Sequence, residues 1–324
     1  MSDLIIEIPL RITISAGSPA TAATVATTAA TQPAAGLERV DIDPNYTNRK
    51  GYAPDFLGVH VPLPTLTDEQ RRNAAKNSMA SPAEDNAILP YHHFSIVMNR
   101  RRQLAYYTAV NIDGARSRTP RRTGDRWYFD PRIAESEQIG EDLYARNVLD
   151  RGHLVRRLDP AWGSNSEALL ANNDTFHFTN CSPQHADFNQ SNETWQGIEN
   201  YLLNKATAER KKLTIFTGPV LTEDDPLYRG GRLPVNFWKI AAMAKEDGTL
   251  IVSAYLLDQK ELIDGLERFN ADTFQVSIEE IQARTGLDFA YLSASQVNLD
   301  SAPGLEREDG MPRKALNRVS DITL

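Results

Sequence analysis

Two β-type runs joined by only four polar residues constrain the fold of this chain most strongly. Residues 93–99 read HFSIVMN and residues 104–112 read LAYYTAVNI, and both contain several β-branched or aromatic side chains. The short polar connector between them predicts a β-hairpin with Arg100, Arg101 and Arg102 at its turn. We therefore expect at least one antiparallel pair of strands in the main sheet.

The remaining periodic segments divide between strands and helices without a regular alternation. Further strands are predicted at 175–179, 213–221 and 249–257. Helices are predicted at 68–77, 191–212 and 278–286. Because no regular βαβ alternation runs through the chain, the pattern favours the α+β class.

Local signals mark the ends and the buried faces of these helices. Thr67 is predicted to cap the N-terminus of the first helix, and Gly286 is predicted to end the last one. In the middle helix Trp195, Ile198 and Leu202 recur at helical spacing, so we expect them to face the core.

The composition divides the chain into four segments. Apolar and polar side chains alternate in residues 1–14, which predicts a single strand, and residues 15–36 form an Ala/Thr-rich linker. The main domain is predicted at 37–292, and a polar, unpatterned tail follows at 293–324. A lone strand cannot fold by itself, so we expect the first segment to pair with the main domain, another copy of the chain or a partner.

Cysteine content and the N-terminal residues bear on the cellular compartment. Cys181 is the only cysteine, so no intrachain disulfide can form, and it is predicted to be a small buried apolar residue. Asp3 and Glu7 interrupt the region where a secretory signal would be apolar, and no stretch approaches the ~20 apolar residues of a membrane span. We expect a cytoplasmic protein without membrane contact, and export without a cleavable signal stays open.

Charge is distributed unevenly along the chain. The formal net charge is −8, yet the segment from Arg100 to Arg157 contains thirteen arginines, no lysine and eight acidic residues, a net charge of +5. Arginine binds bidentate anions such as phosphate, so the segment indicates a phosphate site. Charge by itself also fits an arginine-rich solvated surface. The carboxylates of Glu135, Glu141 and Asp142 are expected to be solvated, with pairing to arginines of the basic segment as the alternative.

A polar constellation begins at the end of this basic segment. DRGH at 150–153 precedes TNCSPQ at 179–184, FNQ at 188–190 and WQGIE at 195–199. Histidine suits proton transfer at neutral pH, arginine can clamp phosphate, and asparagine and glutamate oxygens can hold a hard cation. A base, a phosphate clamp and an oxygen-ligand metal site are the parts of phosphodiester hydrolysis.

In the order of these motifs the sequence resembles the DNA/RNA non-specific endonuclease family, the endonuclease G-like ββα-metal (His-Me finger) nucleases. The resemblance covers roughly residues 50–290 and continues weakly through FTGPVL at 216–221, VNFWKI at 235–240 and TGLDF at 285–289. It implies an α+β fold with a central, mostly antiparallel sheet flanked by helices. It also implies that the main domain is the nuclease domain.

The resemblance implies roles for individual residues. His153 matches the general base that deprotonates the attacking water, and Arg151 matches a contact to the phosphate or the transition state. Asn180 matches a supporting asparagine near the site, and Asp150 matches a residue that fixes the loop. Arg126 is the candidate for a further arginine that some members carry upstream.

The resemblance also implies a metal site for Mg²⁺, with Mn²⁺ as the alternative. Asn189 matches the one direct protein ligand, and Glu199 matches a helix carboxylate that holds metal-bound water. Asn189 lies six residues before Trp195, a longer spacing than in the relatives, and Asn192 lies three residues before it. Asn192 therefore stays open as the alternative ligand.

The activity implied by the resemblance is endonucleolytic hydrolysis of DNA and RNA with little sequence preference, which leaves 5′-phosphate ends. Relatives also suggest a homodimer. One alternative is a gated nuclease, a defence effector or delivered toxin that a regulatory or inhibitor protein controls through residues 1–36. Another is a non-catalytic nucleic-acid-binding protein on a nuclease fold. The preference for DNA or RNA stays open.

Overall fold

The computed structural model describes residues 42–121, 124, 126–146, 149–185, 195–259, 272–300, 304–308, 310–316 and 318–323. All of them belong to one unit that spans Glu38–Leu324. The predicted strand at 1–14 and the predicted linker at 15–36 lie outside the described residues. No helix in these described ranges is long and apolar enough to cross a membrane.

Helices and strands alternate irregularly along the described chain. The helices are α1 (Asp68–Asn73), α2 (Glu141–Tyr144), α3 (Asn165–Asp174), α4 (Trp195–Ala208), α5 (Ile278–Thr285) and α6 (Ala290–Ser293). The strands are β1 (Leu89–Pro90), β2 (Phe94–Asn99), β3 (Leu104–Asp113), β4 (Leu149–His153), β5 (Cys181–His185), β6 (Lys212–Val220), β7 (Leu227–Tyr228), β8 (Gly231–Arg232), β9 (Asn236–Ala244), β10 (Leu250–Asp258), β11 (Asp272–Val276), β12 (Leu305–Glu308) and β13 (Met311–Ala315).

Nine of these strands form one sheet in the order β1-β2-β3-β6-β9-β10-β11-β13-β12. Every neighbouring pair in it is antiparallel. The predicted hairpin is confirmed as β2–β3, and the Asn99 side chain accepts hydrogen bonds from the backbone N–H groups of Arg101 and Arg102 at 3.0 and 3.1 Å. Such a local bond closes the turn, because asparagine satisfies backbone donors that the strands leave free.

Apolar side chains cover both faces of this sheet because successive residues of a strand point to opposite sides. In β6, Ile215 belongs to a buried cluster with Ile198 and Leu202 of α4, whereas Phe216 belongs to the opposite cluster with Ile281 of α5. The sheet therefore lies between helices, as predicted, and Ile198 and Leu202 take the core positions expected of them. The side chain of Trp195 lies outside the described residues.

The predicted helix ends are partly confirmed. Thr67 caps α1, since its hydroxyl accepts a hydrogen bond from the Gln70 backbone and the Gln70 side chain accepts one from the Thr67 backbone. Gly286 ends α5 in the left-handed conformation with φ 69°. However, α1 ends at Asn73 rather than at residue 77, and α4 ends at Ala208 because Lys212 already belongs to β6.

The predicted strand at 175–179 is wrong. Thr175 is the C-cap of α3, and the chain then forms an irregular segment with a 3-10 turn. Phe176 and Phe178 pack on the Trp127 ring, whereas the imidazole of His177 is hydrogen-bonded to the hydroxyl of the buried Tyr46 at 2.8 Å. A loop buried on two sides produces the same alternating pattern as a strand.

The residues after Ser293 also differ from expectation, because β12 and β13 form a hairpin that continues the main sheet. Arg313 of β13 is largely buried, and its Nε donates to Oε1 of the buried Glu280 of α5 at 2.9 Å. A buried ion pair thus joins this hairpin to α5, in addition to its backbone ladder with β11. The sequence pattern therefore contained no sign of a strand here.

Candidate active site

The DRGH motif lies on β4, which forms a separate two-stranded ladder with β5. The two strands are antiparallel, with Asp150 opposite Gln184, Arg151 opposite Pro183 and His153 opposite Cys181. The helix α4 is the next regular element along the described chain. The motif residues therefore lie on a β-β-α unit at the side of the main sheet.

Glycine at position 152 is required by a close approach across this ladder. A Cβ atom at Gly152 would lie 2.0 Å from Oε1 and 2.2 Å from Cδ of Gln184. Gln184 is only 1% exposed, so its side chain has little room to move away. The motif therefore contains glycine because the partner strand's side chain crosses directly over its backbone.

His153 is half-buried at the end of β4, and aromatic rings surround its imidazole. The Trp127 ring centroid lies 4.6 Å away at an interplanar angle of 51°, and the Phe176 ring meets the imidazole edge-on at 5.1 Å. Trp127 and Phe176 also contact each other at 5.5 Å. Packing of this kind restricts the rotamers of the imidazole and shields part of it from water.

Asn180 is fully buried and holds the chain just after His153. Its Oδ1 accepts from the Val155 backbone N–H at 3.0 Å, and its Nδ2 donates to the carbonyls of Val155 at 2.8 Å and Thr175 at 2.9 Å. Its own carbonyl accepts from the Leu154 N–H at 2.9 Å. These hydrogen bonds tie the residues just after β4 to the segment around Thr175.

Arg151 projects to the surface and pairs with Glu141 of α2. Its Nε donates to Glu141 Oε2 at 3.1 Å and its Nη2 donates to Oε1 of the same carboxylate. The guanidinium also lies over the Tyr144 ring at 5.3 Å. The expectation that Glu141 is only solvated is therefore wrong: helix α2 brings its carboxylate, 58% exposed, beside the strand that carries Arg151.

Asp150 and Arg126 lie on different parts of the chain, Asp150 on β4 and Arg126 outside any strand or helix. Asp150 is half-buried on β4 beside Arg151. Arg126 is exposed, and its guanidinium lies over the Tyr128 ring at 5.0 Å. The backbone of Tyr128 hydrogen-bonds the backbones of Phe176 and Phe178. Arg126 therefore lies in the same short segment as Trp127, which contacts His153.

The structure brings some of the predicted site residues together and leaves others undescribed. His153, Arg151 and Asp150 share one strand, with Asn180 directly behind it. Glu199 lies on α4, as the helix prediction requires, but its side chain is outside the described residues, and so are Asn189 and Asn192. Among the side chains that the structure describes, no group of three His, Cys, Asp or Glu residues could hold a metal ion.

The donor types that the resemblance assigns to the metal site fit a hard cation. Burial raises the pKa of the Cys181 thiol to about 12, although Tyr144 and Arg151 oppose this rise. A thiol with such a pKa is protonated at neutral pH in the protein without metal. The oxygen donors that the resemblance assigns, Asn189 and Glu199, are of the type that Mg²⁺ and Mn²⁺ prefer.

Sequence reasoning missed three side chains at this site. Trp127 and Phe176 surround His153, and Glu141 pairs with Arg151. The aromatic residues after Arg126 were visible in the sequence, but nothing in their spacing indicated contact with His153. Glu141 and Arg151 are ten residues apart and belong to different elements, so no helical or strand periodicity relates them.

The fold is similar to that of solved ββα-metal nucleases. A chain in the crystal structure of the EndoG/EndoGI complex, which concerns the mechanism of EndoG inhibition, aligns with a TM-score of 0.50 at 18% sequence identity. The alignment covers 65% of this chain and 87% of that chain. Together with the β4-β5-α4 unit, this similarity assigns the protein to the ββα-metal fold class, and the predicted fold is confirmed.

The sequence comparisons identify the family. The family model for DNA/RNA non-specific endonucleases matches residues 72–296. This chain belongs to the DNA/RNA non-specific endonuclease family. It is also 41% identical over 297 residues to the uncharacterized protein y4fB of Sinorhizobium fredii, and the alignment covers 86% of this chain. The alignment covers only 43% of that relative, so the chain spans less than half of the relative's length.

Proposed function

We propose that this protein is a metal-dependent endonuclease that hydrolyses phosphodiester bonds of DNA and RNA with little sequence preference. The observation that carries the proposal is the placement of DRGH. His153 and Arg151 lie on one strand of a ββα unit, in a chain that belongs to the non-specific endonuclease family.

In this proposal His153 is the general base. Its imidazole accepts a proton from the attacking water, and the rings of Trp127 and Phe176 hold it in one orientation. The bond from phosphorus to the 3′ oxygen breaks, so the products are a 5′-phosphate and a 3′-hydroxyl. Asn180 and Asp150 keep the strand in place, and neither needs to contact the substrate.

Arg151 contacts the phosphate in this proposal, and Arg126 extends the basic surface along the nucleic-acid backbone. A bidentate guanidinium–phosphate contact is charge-assisted and therefore strong. A bound Mg²⁺, or Mn²⁺ as the alternative, would be held directly by Asn189, with Asn192 as the other candidate, and Glu199 would hold its bound water. The cation would stabilise charge on the phosphate and on the leaving oxygen. Contacts to phosphate carry no base information, so the specificity for sequence is low.

The experiment compares cleavage of single- and double-stranded DNA and RNA in the presence of Mg²⁺. Wild type should cut, EDTA should abolish cutting, and His153→Ala should lose at least 100-fold in rate, the usual loss on removing a general base (~10²–10⁴). His60→Ala is the matched control, because His60 is an exposed histidine whose described contact is to Asp55. Equal cleavage rates for His153→Ala and wild type would contradict the mechanism, whereas binding of nucleic acid without cleavage by wild type in Mg²⁺ or Mn²⁺ would favour a non-catalytic nucleic-acid-binding protein.

We also propose that an inhibitor or regulatory protein controls this nuclease through residues 1–36. The structurally similar EndoG forms a complex with EndoGI, which supports inhibition by a protein partner. Removal of residues 1–36 should then change the assembly state or the inhibition, while cleavage by the rest of the chain, which includes the β12–β13 hairpin, persists. Light scattering of both forms also tests the proposed homodimer, and identical assembly and inhibition would contradict this role of the segment.

A further inference from the structure

We propose that Glu141 is a built-in competitor for the phosphate-binding edge of Arg151. By occupying that edge, it lowers the affinity of the site for any phosphate that binds Arg151 there. This inference rests on the proposed function, in which Arg151 contacts a phosphate of the substrate.

Glu141 occupies the edge of the Arg151 guanidinium that a phosphate would use. Arg151 presents Nε and Nη2 side by side to the two oxygens of Glu141, and the Nε to Oε2 distance is 3.1 Å. A phosphate would use the same pair of parallel N–H donors, because a guanidinium matches carboxylate and phosphate in the same bidentate way. Glu141 and a phosphate therefore exclude each other on this edge of the guanidinium.

The side chains of Arg151 and Glu141 are both accessible to water. Arg151 is 26% exposed and Glu141 is 58% exposed, so water can solvate both groups when the pair separates. Exposed ion pairs of this kind contribute little to stability, and breaking one costs correspondingly little. The Tyr144 ring, 5.3 Å from the guanidinium carbon, supports Arg151 whichever anion it binds.

Ligands differ in how many other contacts offset the displacement of the Glu141 carboxylate. In the proposed function a nucleic-acid strand also contacts Arg126 through its backbone, so the loss of one ion pair is a smaller part of its binding free energy than of a small phosphate's. Inorganic phosphate or a mononucleotide product has only the contacts of the site itself. Displacing Glu141 costs the same free energy for both ligands, so it weakens both by the same factor, and only the polymer has other contacts that keep it bound.

The test is a titration with inorganic phosphate, followed by ³¹P NMR, on the full chain without metal. Glu141→Gln should bind phosphate about two- to five-fold more tightly, the range expected when a competing exposed ion pair is removed. Asp142→Asn is the matched control, because it removes the same charge from the neighbouring position of α2. It should leave the dissociation constant unchanged. Circular dichroism checks that both variants fold.

A double variant locates the effect on Arg151. Glu141→Gln combined with Arg151→Ala should lose the gain in phosphate affinity. The inference is overturned if Glu141→Gln binds no more tightly than wild type. It is also overturned if Asp142→Asn gains as much, or if the gain persists without Arg151. In those three cases Glu141 acts at most through net charge.

The titration needs no cleavage, so its outcome is separate from that of the proposed function. If His153→Ala cuts as well as wild type, the proposed mechanism fails while the titration still decides the role of Glu141. If cleavage depends on His153 but phosphate affinity does not depend on Glu141, only the present inference fails. In cleavage assays Glu141→Gln should lower KM for DNA about two- to five-fold, leave kcat nearly unchanged and strengthen inhibition by phosphate.

Discussion

Replacing Asn180 by alanine is expected to lower the free energy of unfolding by about 3 kcal/mol. The side chain makes three hydrogen bonds to backbone groups of Val155 and Thr175, at 2.8 to 3.0 Å. Alanine removes all three and leaves one N–H and two carbonyls without these partners. Buried backbone groups are normally hydrogen-bonded, so the loss is large for a single substitution.

The magnitude follows from the burial of the groups that remain. A buried polar group without a partner costs about 1–3 kcal/mol. Val155 and Thr175 are both 0% exposed, so water reaches their backbone only if the loop opens. Taking the lower limit for each of the three groups, because the backbone relaxes, gives about 3 kcal/mol.

Urea denaturation measures this loss, and Asn172→Ala is the control. Asn172 is also a buried asparagine, but its side chain donates one hydrogen bond, to the Arg157 carbonyl at 2.8 Å. It lies in α3, where alanine gains up to about 0.7 kcal/mol of helix propensity, so the expected loss is no more than about 1 kcal/mol. Equal losses for Asn180→Ala and Asn172→Ala would refute the reasoning from satisfied backbone groups.

Two further predictions concern residues near the site. Gly152→Ala should destabilise the protein by about 1–3 kcal/mol, because its Cβ would overlap the Gln184 side chain. Adding Gln184→Ala should recover at least half of this loss in the same denaturation assay, and additive losses in the double variant would contradict a clash between the two side chains. Burial would raise the pKa of Asp174, but hydrogen bonds from His92 and Arg49 hold that pKa at about 2, below the ~3.9 of an unfolded aspartate. The contribution of Asp174 to the free energy of unfolding is therefore complete above pH ~4 and is lost as the pH falls towards 2. Asp174→Asn should flatten this part of the pH–stability curve and cost about 3–5 kcal/mol at pH 7, because the buried guanidinium of Arg49 loses its counter-ion; an unchanged acid profile would contradict the assignment.

Local signals in the sequence predicted the elements whose stability depends on neighbouring residues. The β2–β3 hairpin was predictable because its turn is short, and the ends of α1 and α5 were predictable because Thr67 and Gly286 act on their own backbones. The helix α3 was missed because it has no regular apolar stripe, although Ser164 and Glu167 form a capping box at its start. Only the surrounding core decides that such a polar helix is stable.

Longer-range interactions account for the elements that sequence reasoning assigned wrongly. The segment at 175–179 alternates like a strand, but its aromatic residues fill a gap beside His153 instead of joining a sheet. The hairpin β12–β13 depends on Arg313 reaching Glu280, which is 33 residues away in sequence. Neither arrangement follows from a residue's immediate neighbours.

The sequence by itself determined the chemistry that this protein can carry. The order of DRGH, TNCSPQ, FNQ and WQGIE indicates the family, because residue identity and spacing set which groups a β-β-α unit can present. Only the tertiary structure decided the surroundings of those groups. The rings beside His153, the carboxylate on Arg151 and the side chain over Gly152 come from other segments of the chain. Packing brings these segments together, and packing depends on the whole core rather than on local sequence.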